Sequence, residues 1–156
     1  MNYKLLTILL ICSISTFGQD QINYIEIENT SSHLWSNTTI YIESPNANFQ
    51  SSKNNKKDKV LVEIKMNLKE DHDYKKVMYI NLNDFEEIST KLLNLNPKDL
   101  FPHIQCLDGN HTILSFSNDS NSVKYNISCT NKETKFHQVL EFILDKINLK
   151  EKDFYR

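Results

Sequence analysis

Between residues 60 and 68 the chain alternates, with Val60, Val62, Ile64, Met66 and Leu68 on one side and Leu61, Glu63, Lys65 and Asn67 on the other. Successive strand side chains point to opposite faces, so this run reads as a strand with one apolar face. Such a face needs a cover on one side and leaves the other in water. The covers are also in the sequence. Phe85, Ile88, Leu92 and Leu95 recur at helical spacing, and so do Phe136, Val139, Leu140, Ile143 and Ile147. Asn83 or Asp84 is placed to cap the first helix, Glu86 and Glu87 suit its N-terminal dipole, and Asn96-Pro97 ends it. The second is predicted to begin near Thr130 or Asn131, where Thr130 and Glu133 match a capping box, and the tail 151–156 is expected to fray.

Other strands are short, β-branched and aromatic: 22–28, 38–43, 77–82, 103–107, 111–117 and 122–129. The segment 77–82 pairs with 60–68 across a charged turn, 69–76. Asp108-Gly109 is a two-residue hairpin signal, and Gly109 is the one glycine outside the leader, so a turn needing φ > 0 is its natural place. Val123, Tyr125, Ile127 and Cys129 share a face. The order hairpin, helix, hairpin, helix suggests a ββα duplication, of topology only. The expectation is therefore an α+β fold: an antiparallel sheet of about six strands with both helices on one face. The pair 22–28 and 38–43 is expected to extend or cap that sheet. Residues 44–58 bury too little to offset the entropy of ordering and read as a mobile loop. Trp35, between the first two strands, reads as a core plug or lid in preference to a ligand-stacking ring.

Residues 1–18 look like an export leader: Lys4, an apolar run from Leu5 to Ile14, then Thr16 and Gly18 at −3 and −1 of a cut before Gln19. The run is shorter than the roughly 18 residues a membrane span requires. Lipidation at Cys12 is disfavoured by the bulk of Ile11. Residues 19–156 then form a single domain. Lys4 is the leader's one charged residue, so its removal takes the formal charge from −2 to −3. A nucleic-acid binder concentrates basic residues on one face, whereas the basic run at 53–59 is interrupted by Asn54, Asn55 and Asp58.

Two cysteines remain, Cys106 and Cys129, and an exported chain with two usually joins them. The bridge closes a loop of about 20 residues, worth roughly 3 kcal/mol by chain entropy. Geometry objects. If 103–107 and 122–129 both flank the strand between them, they lie about 9.5 Å apart, against the limit of about 7 Å for a disulfide. The bridge, the tight meander or the pairing of 103–107 must give way. We retain the bridge, with 103–107 crossing the sheet end. Zinc held by Cys106, His111, Cys129 and His137 is the competing use, but CX4H and CX7H are not recurrent ligand spacings. His137 with Glu141 reads as a surface i,i+4 pair.

Chemistry is sparse. One glycine outside the leader excludes a phosphate-cradling Gly-rich loop, and neither a GxSxG elbow nor an HExxH helix occurs. His111 near Asp108, and Glu26, Glu28, Glu43 and Glu63 on predicted strands, are the candidate bases, and spacing does not show whether any converge. Glu70, Asp71, His72 and Asp73 in the charged turn lack a glycine to shape a metal cage. Asn-Xaa-Ser/Thr triplets begin at Asn29, Asn37, Asn110, Asn118 and Asn126 and matter only where exports are glycosylated.

Cys106-Leu107-Asp108-Gly109, the two strands after it and the closing amphipathic helix resemble small exported proteins of Bacteroidota bacteria, as does the leader ending Phe17-Gly18-Gln19. The likeness spans about a third of the chain. It implies a compartment, secreted or periplasmic, and a fold sketch, and it brings no catalytic residues.

The reading that results is an exported, non-catalytic domain that binds an unknown protein or envelope component or supports the cell envelope, with no cofactor, metal or nucleic acid. It expects an apolar or aromatic patch on the sheet face away from the helices. Two readings compete with it. One is a small secreted hydrolase or zinc protein using His111 and Cys106. The other is an inhibitor or immunity-type protein, with the 69–76 tip as its plug.

Overall fold

A computed structural model describes residues 21–31, 36–47, 58–68, 72–100, 110–128 and 132–155. The leader, Trp35, most of the 44–58 segment, the strand expected at 103–107, Cys106, Asp108, Gly109, Cys129 and the cap at Thr130 lie outside them. Strands β1 (Tyr24–Ser31), β2 (Ser36–Glu43), β3 (Lys59–Leu68) and β4 (His72–Asn81) are followed by helix α1 (Leu82–Leu93) and a 3-10 turn (Pro97–Leu100). Then come β5 (Asn110–Ser117), β6 (Ser122–Ser128), α2 (Lys135–Lys146) and a short α3 (Glu151–Phe154). The fold is α+β, with a six-stranded antiparallel sheet in the order β4-β3-β2-β1-β5-β6. Two hairpins are each followed by a helix, β3–β4 by α1 and β5–β6 by α2.

The alternation in β3 does what it predicts. Val60, Val62 and Ile64 are buried, and their register partners in β2, Ile40 and Ile42, join Ile25 and Ile27 of β1 in one apolar layer. Phe85, Ile88, Leu92 and Leu95 of the α1 segment cover it, as do Phe136, Val139, Leu140, Ile143 and Ile147 of the α2 segment. A charged seam joins the two helices at their solvent side. Lys146 Nζ reaches Asp84 at 2.6 Å and Glu87 at 2.9 Å. The lysine holds the Asp84 carboxyl below its usual range, and Asp84 in turn raises the lysine.

Four expectations change. The N-terminal pair does not extend or cap the sheet but forms its centre, because β1 is paired along its length by β2 on one side and β5 on the other. Four fully buried isoleucines explain why: strands this apolar lose most by lying at an edge. Second, β5 is flanked by β1 and β6, so neither edge is free for 103–107. The tight meander behind the spacing objection to the bridge is therefore not made by β5. Third, the helices begin elsewhere than expected. Asn81 precedes α1 without a side-chain cap bond, which leaves Asp84 to meet Lys146, and Thr134 caps α2 by accepting from the His137 backbone N–H at 3.2 Å.

Fourth, the tail is structured. Asn148 adopts φ 51°, the left-handed conformation that asparagine tolerates better than most residues. Around it the Asn148 N–H donates to the Asp145 carbonyl at 3.0 Å and the Leu149 N–H to the Leu144 carbonyl at 2.9 Å. These two bonds make a Schellman close to α2. The reversal carries α3 onto the inner sheet face, where the Phe154 ring is fully buried and its carbonyl accepts from Asn29 Nδ2 at 3.2 Å. Asn29 Oδ1 in turn accepts from the Thr112 hydroxyl at 3.3 Å. Asn29 is buried, so of the glycosylation triplets this one is closed to a glycan in the folded chain.

Candidate functional site: the helix-free face of the sheet

Every second residue of the strands points away from the helices, and the register fixes which of them meet. Tyr41 of β2 lies opposite Glu26 of β1 and Glu63 of β3. Glu43 lies opposite Tyr24 and Leu61, and Glu28 opposite Thr39 and Ile113. Three of the four strand carboxylates that sequence spacing could not bring together, Glu26, Glu43 and Glu63, thus act on one phenol, and Glu28 stands next along β1 on the same face. The Tyr24 and Tyr41 rings stack beside them, with centroids 6.2 Å apart and planes 26° from parallel. Val77 and Tyr79, each 52% exposed, continue the apolar and aromatic surface onto β4.

The carboxylates are not equivalent. Glu63 accepts Lys75 Nζ at 2.8 Å and Lys65 Nζ at 3.0 Å, and these two bonds hold its carboxyl below the usual range. Glu26, Glu28 and Glu43 have no cation bonded to them among the described residues. Burial pushes the Glu43 carboxyl up. Burial first, then Glu43, Tyr24, Glu26 and Glu63, pushes the Tyr41 phenol up to about 12, and Tyr24 is raised by burial and Glu43. A half-dry, electron-rich patch with uncompensated negative charge attracts cations twice over, through its carboxylates and through its ring faces.

The phenol gives a direct check on this arrangement. The fold favours neutral Tyr41, and an unfolded tyrosine ionises near 10. The stability that the neutral form contributes is whole below about pH 10 and is lost as the pH rises toward 12. Glu43→Gln removes the charge that raises Tyr41 most and is expected to lower its midpoint part of the way toward 10, burial being the larger cause. Ring-labelled tyrosine NMR reads it. A midpoint unmoved by the substitution means that the two groups are not neighbours.

The other residues singled out from the sequence fall elsewhere. His111 stands on the same face of β5, its Nδ1 3.4 Å from the Ser128 hydroxyl, and has no carboxylate partner among the described residues. Cys106, Cys129, Asp108 and Gly109 lie outside the described residues. His137 is not on the surface: its side chain is 2% exposed and lies between α2 and α3. An apolar groove of about 200 Å³, lined by Ile22, Leu93, Phe116 and Val123 among others, opens at the β5–β6 end. It is below the roughly 300–1,000 Å³ of small-molecule pockets. No helix among the described residues is long and apolar enough to cross a membrane. No known protein family, curated protein or solved structure matches the chain.

Proposed function

We propose that this is an exported, non-catalytic domain that binds a protein partner, in solution or in the cell envelope, through the helix-free face of its sheet. The partner presents lysine or arginine side chains to that face. One observation carries the reading: Glu26 and Glu43 lie against stacked Tyr24 and Tyr41, Glu28 follows Glu26 on the same face, and none of the three has a cation bonded to it among the described residues. Complementary charge steers such a partner and fixes its register, and the tyrosines supply apolar contact area at small entropic cost. The leader and the Cys106–Cys129 bridge belong to the same reading, since an exported domain works where thiols oxidise.

The test uses protein purified from the exported fraction and a labelled lysine/arginine-rich peptide, with binding followed by fluorescence anisotropy at low salt. The charge-reversed variant Glu26→Lys/Glu43→Lys is expected to bind about tenfold more weakly or worse, a loss of about 1.4 kcal/mol. The same preparation, denatured, is expected to show no reactive thiol. Equal affinity of the variant and the parent would overturn the reading of the face. Two reactive thiols would overturn the bridge without touching the face.

A further inference from the structure

We propose that His137, Glu141 and Glu151 form a binding site for one divalent transition-metal ion, zinc by ligand type, which fastens α3 to α2. This site is separate from the sheet face and does not depend on the function proposed for it. It shares only His137 with the cysteine-histidine set that the sequence suggested.

The imidazole is the starting point. It is almost wholly buried, and neither Nδ1 nor Nε2 has a hydrogen-bond partner among the described residues. A buried donor or acceptor without a partner is costly, so a native site that keeps one needs a reason. Nε2 faces two carboxylate oxygens, Glu141 Oε1 at 3.4 Å and Glu151 Oε1 at 3.5 Å. These separations are long for hydrogen bonds. They fit a tetrahedral ion, because two ligand atoms bound at about 2.0–2.1 Å stand about 3.3–3.4 Å apart. All three ligand atoms lie within 4.8 Å of one another.

Charge and preorganisation agree. Two carboxylates converge on one imidazole, and the described cation beside them, Lys132 Nζ, lies 3.4 Å from the other oxygen of Glu151 and is itself mostly in water. Both Oε1 atoms are left facing the histidine. A divalent ion cancels the two carboxylate charges. One nitrogen and two oxygens suit zinc and its first-row neighbours better than calcium or magnesium, which prefer all-oxygen shells. Glu141 is 49% exposed and Glu151 32%, so a fourth position opens to solvent and a water ligand. His137 and Glu141 share a face one helical turn apart on the helix that Thr134 caps. Glu151 is delivered by the Asn148 reversal, and α3 is tied to the sheet by the Asn29 bond to Phe154.

The competing account is a protonated imidazole paired with two carboxylates and no metal. Titrating chelator-treated protein with zinc chloride by calorimetry separates the two. One equivalent of zinc should bind, raise the melting temperature and be released by EDTA. Cobalt(II) should give the visible absorption of a four-coordinate ion. His137→Gln should weaken binding at least a hundredfold. If that variant misfolds, Glu141→Gln, whose side chain is half in water, should weaken it at least tenfold. No stoichiometric binding, or binding that survives both Glu141→Gln and Glu151→Gln, overturns the proposal.

Discussion

Truncation of Phe154 to alanine is expected to destabilise the protein by about 3–5 kcal/mol. This ring is fully buried, packs edge-on against Tyr155 at 4.9 Å and joins the core beneath the sheet. Its removal leaves a cavity that the sheet cannot close, because the strands beside it are tied by ladders on both edges. Losing the ring also loosens the carbonyl that Asn29 binds. A neighbouring control, exposed Lys152→Ala, should change stability by no more than about 0.5 kcal/mol. Urea titration followed by tyrosine fluorescence measures both. A Phe154→Ala cost below about 1 kcal/mol, within the range of an ordinary single substitution, would show that the tail does not pack as described.

The second large effect concerns the sheet's two faces. Ile27→Ala is expected to cost about 2–5 kcal/mol, whereas Val77→Ala should cost no more than about 0.5 kcal/mol. Ile27 is fully buried at the centre of the sheet, with Ile40 and Leu114 as its cross-strand neighbours on the helix side. Val77 stands on the opposite face and is half exposed. Both are β-branched strand residues, so the difference measures burial and not strand propensity. Equal costs would mean that β1 does not occupy the middle of a sheet covered on one side.

The parts of the fold legible in the sequence were those with a local period. Val60, Val62 and Ile64 announce their strand and its inner face, and Phe85, Ile88 and Leu92 do the same for α1. For α2 the buried stripe is wider than Phe136, Val139, Leu140, Ile143 and Ile147. Leu144 lies one heptad beyond His137 on the same side of the helix, and both are buried. With Leu144 in the stripe, His137 falls at the core edge and not on the surface. The structured tail also left a signal in Asn148 just beyond the end of α2, a residue type that often closes a helix by turning the chain back. With Phe154 the one apolar residue of α3's four, no periodicity pointed to it.

The chain by itself determined the class of fold and which side of each strand and helix is apolar, because those follow from backbone geometry repeated every 2 or about 3.6 residues. Strand order, register and the turn that carries α3 back were decided only in the folded molecule. They depend on which long-range pairing buries most apolar surface while leaving every ladder satisfied, and a single segment contains no record of that competition. The two candidate sites stand on this second kind of information. Glu26, Tyr41 and Glu63 meet because β2 lies between β1 and β3, and Glu151 meets His137 because the chain reverses at Asn148.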